Sequence, residues 1–184
     1  MTRVEDVTVH DVMEYLREQQ PHATPMELQK LAYYAQAWHI AWEGDRLFPE
    51  RIEAWKHGPV CRAAWVADNY GPRPAVKPLS DRARQVVDAV LSFYGQRSAA
   101  QLRALTHNEA PWVQARCGLP DDANSDAEIP VAEMRRCYTR KSILGDAVPE
   151  RPLVEEEPAF DEVLRIADQQ IERWREALDK LATR

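Results

Sequence analysis

The sequence is poor in glycine and cysteine: 184 residues hold 6 Gly and 3 Cys. It has no apolar run near the roughly eighteen residues that a membrane-spanning helix needs, which excludes a helical membrane protein. Scarce glycine beside 25 alanines favours helices over a β-rich architecture. Cys61, Cys117 and Cys137 form no CxxC pair and cannot all pair with one another, the usage expected of a reducing cytoplasm. The first thirty residues carry Glu5, Asp6 and Asp11 and no apolar core, so no signal peptide is read there. Positive charge is also in deficit: 24 basic against 30 acidic residues leave a net charge of -6. That balance argues against nucleic acid as the main partner, because such binding needs a phosphate-neutralising surface. There is no GxxxxGK[ST] loop, no GxGxxG, no GxSxG and no HExxH, so the common nucleotide, hydrolase and zinc-protease signatures are absent. No internal repeat or long low-complexity tract stands out.

What is present is ordinary globular material, 45% hydrophobic and 29% charged, long enough to bury a core without disulfides or metal. Helix signals dominate. Thr8 caps a first helix to Gln19 with Val9, Val12, Met13 and Leu16 on one face. Thr24, Pro25 and Glu27 form a capping box with Pro at the first helical position. They open a long second helix whose buried side holds Leu28, Leu31, Ala32, Ala35 and Trp42, and Gly44 closes it. The period then shortens. Leu47-Phe48 and Ile52–Trp55 read as two short strands of an antiparallel ribbon, and His57-Gly58-Pro59 as a turn with Pro59 opening a helix over 60–69. Three prolines, Pro72, Pro74 and Pro78, keep the next stretch extended. Ser80 caps a helix to Tyr94, and Ser98 with Gln101 a helix to Thr106. A short helix follows to Arg116, then a polar loop over 118–128, and Ile129-Pro130 starts a helix to Lys141. The fold class expected is mainly α: a compact helical domain over 8–141 with a small β element of two or three short strands, a linker over 142–158, and an amphipathic C-terminal helix over 159–182.

His39, His57, Cys61, His107 and Glu109 are the polar groups with chemistry to offer. His57 with Cys61, and His107 with Glu109, supply metal-ligand types if the fold brings them together. Each also has a local structural role open to it. An imidazole beside a Gly-Pro turn can hold a backbone carbonyl, and one ending a helix can bond the last carbonyls. Cys61 as a nucleophile needs an electropositive setting that nothing in the sequence supplies. Cys117 and Cys137 read as small core hydrophobes. The residues by themselves therefore point to no catalytic residues, no cofactor and no metal.

Three stretches, taken in order, resemble the Panacea domain, the SocA-like family of bacterial and phage antitoxins. They are Leu28-Gln29-Lys30-Leu31-Ala32-Tyr33-Tyr34-Ala35-Gln36, Ile52-Glu53-Ala54-Trp55-Lys56-His57-Gly58-Pro59-Val60 and Leu105-Thr106-His107-Asn108-Glu109-Ala110-Pro111-Trp112. The resemblance implies a mainly helical domain with a small β element and no enzymatic activity. It implies a cognate protein toxin as partner, neutralised by direct contact or, in part of the family, delivered to an ATP-dependent protease. It makes Trp55, His57, Gly58, Pro59, Val60, Thr106, His107, Pro111 and Trp112 motif residues, as scaffold or as partner surface. Cys61 stands where family members more often carry an aliphatic residue.

The last helix has its own pattern. Phe160, Leu164, Ala167, Ile171, Trp174, Leu178 and Leu181 alternate spacings of four and three, a heptad seam with charged flanks. Such a seam is expected to cover a groove on its own domain or to dock on a partner, whether the toxin or a second copy of the chain.

Overall fold

The computed structural model describes residues 7–145 and 147–153. The C-terminal helix and its seam residues Phe160, Leu164, Ile171, Trp174 and Leu178 lie outside the described residues. Within Met1–Pro152 the described chain forms seven helices and one two-stranded antiparallel sheet.

The capping signals decide the helix starts. In α1 (Val9–Gln19) the Thr8 hydroxyl accepts from the Asp11 N–H while the Asp11 carboxylate accepts from the Thr8 N–H. In α2 (Pro25–Glu43) Thr24 and Glu27 make the same reciprocal pair, and Gly44 closes the helix in the left-handed region at φ 79°. A non-glycine residue would be strained in that conformation. The second helix is the hub. It is buried on nearly all sides, from Leu28 to Trp38 without a break, because α1, α4 (Asp81–Tyr94), α5 (Ala99–His107), α7 (Val131–Leu144) and the hairpin all pack on it.

The sheet departs from the sequence expectation. Strand β1 is Ile52–Trp55 as read, but its partner is β2, Gly58–Cys61, and not Leu47-Phe48. Leu47 and Phe48 are buried without being a strand. Gln36 of α2 satisfies their backbone instead: its carbonyl oxygen accepts from both N–H groups and its amide donates to the Phe48 carbonyl. Pro59 lies in β2 and does not open a helix. The hairpin turns on Lys56-His57, with Trp55 opposite Gly58, and α3 starts only at Arg62 and runs to Tyr70. Pro59 is tolerated because β2 is an edge strand, where a missing N–H costs no ladder bond. On the far edge of β1 the loop after the short helix α6 (Ala110–Ala115) adds strand-like pairing. The Ala54 N–H donates to the Ala127 carbonyl, the Ile129 N–H to the Ile52 carbonyl, and Glu53 bridges Glu128.

Residues 148–152 also pack on this unit. Arg82 donates to the Pro152 carbonyl, Arg151 to the Trp42 carbonyl, and Val148 packs against the core.

Candidate protein-interaction site

The hairpin tip is held from below by polar groups of α2. Lys30 is only 1% exposed. Its Nζ donates to the Pro59 carbonyl at 2.9 Å, and among the described residues no carboxylate pairs with it. Burial, reinforced by the charge of Arg103, lowers its pKa from 10.5 to about 7. One residue earlier, the Gln29 carbonyl oxygen accepts from the Cys61 N–H at 2.9 Å. Gly58 sits directly over Lys30 at φ 97°, and a Cβ there would meet Lys30 Cε at 2.6 Å and Thr106 Oγ1 at 2.9 Å. The turn therefore needs glycine for its conformation and for its space.

The same hairpin is clamped from α5 and α6. Trp112 Nε1 donates to the Trp55 carbonyl at 2.9 Å, and its ring stacks on His107 at 3.8 Å between centroids. Burial first, then the positive charges of Arg103 and Lys30, push the His107 imidazole down to about 4, so it is neutral at physiological pH. Arg116 is buried over the Trp112 ring. It donates to the carbonyls of Ala54, Pro120 and Ala123, fixing the 118–128 loop against β1. A guanidinium with several donors in a rigid fork suits that task. Glu109 is also buried. It accepts from the Tyr138 hydroxyl at 2.6 Å and from Lys141, and burial raises its pKa despite the lysine.

Residues 28–113 match the family described as antitoxin SocA-like, Panacea domain. That segment is similar to a Panacea domain. No curated protein and no solved structure matches the chain. The family match spans α2, the hairpin, α3, α4, α5 and the start of α6, so it contains the hairpin, Lys30 beneath it and the Trp112 clamp.

Within the matched segment the motif residues fall into two groups. Gly58, Pro59, Val60, Thr106, Pro111 and Trp112 are buried and build the hairpin and its supports. Trp55 is half-buried at the end of β1, and His57 is exposed on the turn. His57 bonds no carbonyl among the described residues, and His107 stacks on Trp112 where a helix-end carbonyl bond was expected. His57, Cys61, His107 and Glu109, which offer metal-ligand types, are not brought together: among the described residues no group of three His, Cys, Asp or Glu stands together as a metal site requires. Cys61 is buried, and loss of hydration pushes its thiol up to about 12, the reverse of an activated nucleophile. Cys117, read as a core residue, is exposed and takes a positive φ of 48°. Cys137 is half-buried.

Above the hairpin lies an open cleft of about 600 Å³ lined by Glu53, Trp55, Lys56, His57, Arg62 and residues 124–126. Trp55 continues outward into an aromatic row. Its ring meets Trp65 at 5.1 Å, and Trp65 meets Tyr70 at 5.4 Å, all at steep angles. Sequence reasoning missed Gln29, Lys30, Gln36, Arg116, Trp65 and Tyr70. The signal for the first three was available: they are the charged or amide residues within the stretch of α2 from Leu28 to Trp38 that is otherwise Leu, Ala, Tyr and Trp.

Proposed function

We propose that this chain is an antitoxin that neutralises a cognate protein toxin, encoded by a neighbouring gene, through direct protein–protein contact. The observation that carries the reading is the family match over 28–113, a segment that contains the whole hairpin together with Gln29, Lys30 and Trp112, which hold it. The site's chemistry supports a binding role. Buried Lys30 and Trp112 are occupied in fixing backbone, and the cleft offers Trp55, Lys56 and Arg62, aromatic and cationic types found at protein interfaces.

Co-expression tests the reading. Cells arrested by the neighbouring gene's product should grow when this chain is supplied, and the two proteins should co-purify. A neighbour that is harmless alone, or equally toxic with and without this chain, sinks it.

A further inference from the structure

The cleft over the hairpin differs in charge from its surroundings. The chain carries a net charge of -6, and many surface arginines sit on carboxylates: Arg17 on Asp68, Arg82 on Glu43, Arg84 on Asp81 and Arg136 on Glu133. Lys56 and Arg62, on the cleft wall, have no ion pair or hydrogen bond among the described residues. His57 stands between them in sequence. Its pKa is held below the usual value by some loss of hydration and by Lys56, Arg103 and Lys30, a sign that the local field is positive. The carboxylate deepest in the cleft, Glu53, is fully buried and already committed to Arg51 and the Trp55 indole N–H. Beside these cations runs the row Trp55, Trp65, Tyr70, which ends on a ring 74% exposed.

We propose that this cleft is the partner-docking face of the Panacea domain and that it takes an acidic polypeptide segment bearing an apolar or aromatic anchor. The partner's carboxylates meet Lys56 and Arg62, and the anchor packs along Trp65 and Tyr70. Charge complementarity supports this face: Lys56 and Arg62 attract such a segment, and Asp126 on the same wall opposes it in part. A protein is favoured over nucleic acid, because Trp55 and Trp65 meet edge to face and so do not present a stack of open ring faces for bases. The proposal rests on the binding role above and adds where and by what chemistry the partner is recognised.

The test uses the full chain and a short fluorescein-labelled peptide that alternates Asp and Glu with Leu and Phe. Two controls accompany it: a peptide with Lys in place of the acids, and single-stranded oligo-dT. The acidic peptide should bind with an affinity that falls as salt rises. The Lys56→Glu/Arg62→Glu double variant should weaken it about tenfold or more. Tyr70→Ala should weaken it severalfold, and Arg84→Glu, on another surface, should leave it unchanged. Melting curves of all variants should stay close to the parent's, since Arg62, Tyr70 and Arg84 are exposed and Lys56 is half-buried on the turn. Equal binding of acidic and basic peptides, parental affinity in the double variant, or preference for oligo-dT overturns the proposal. The growth assay separates this from the antitoxin reading. A toxic neighbour that the double variant neutralises as fully as the parent removes the docking face alone. A harmless neighbour removes the antitoxin reading, while the peptide titration still decides the cleft.

Discussion

At the scale of single residues, the hairpin turns on a glycine over a buried amine. Gly58→Ala places a Cβ at positive φ against Lys30 and Thr106. It should lower stability by about 1–3 kcal/mol, read from denaturant midpoints. A midpoint equal to the parent's would mean that Lys30 can withdraw freely. Lys30 also gives stability a pH dependence. The unfolded side chain holds its proton to about 10.5, whereas the buried one releases it near 7. Across that window the unfolded state binds more protons, so this group makes the fold more stable as pH rises and contributes no further change below 7. Lys30→Met should flatten that rise, a difference of about 1–2 kcal/mol between about pH 7 and about pH 9. Parallel stability–pH curves for parent and variant would show that Lys30 does not titrate there.

At the scale of elements, side chains take the place of a missing strand. Gln36 satisfies three backbone groups of Leu47 and Phe48, so the chain between α2 and β1 is buried without a ladder. Gln36→Leu keeps the volume and strands those groups. It should cost about 2–4 kcal/mol, seen as a lower melting temperature, with far-UV circular dichroism of the folded protein unchanged. A cost below about 1 kcal/mol would mean that water replaces the amide. This element also marks the boundary of what sequence could tell. Helix starts were legible because Thr8, Thr24, Ser80 and Ser98 cap through local bonds that a short window contains. The pairing of β1 was not. Apolar Leu47-Phe48 looks like a strand in isolation, and Gly58-Pro59 looks like a turn. What reverses the assignment is Gln36, eleven residues before Leu47, together with Lys30 and Gln29 on the same helix. The candidate site was legible in the same uneven way. Trp55, His57 and the Gly-Pro pair were visible as a motif, but Arg62, Trp65 and Tyr70 join them only once α3 is placed after β2.

At the scale of the whole molecule, α2 joins α1, α4, α5, α7 and the hairpin. One face carries Tyr33 and Tyr34, which pack with Tyr94 of α4 and Tyr138 of α7, and its polar residues hold the hairpin and the loop before it. Aromatic pairs of this kind contribute beyond their buried area, and here they tie helices distant in sequence to one centre. Helix α7 lies beyond the family match and still supplies Tyr138, so the packed unit is larger than the matched segment. The hairpin is tied to this centre twice, through Lys30 and Gln29 on one side and Trp112 and Arg116 on the other. It cannot lift away without releasing both. The buried sulfur at its base then serves as a clock. Exposed Cys117 should react with a thiol reagent at once, whereas Cys61 reacts only in molecules whose hairpin has left α2. Its labelling rate, measured by mass spectrometry through a urea series, should rise with the steep slope of global unfolding. A shallow slope would instead reveal an opening confined to the hairpin, and the rate without urea would then count how often an otherwise folded domain lets go of its β element.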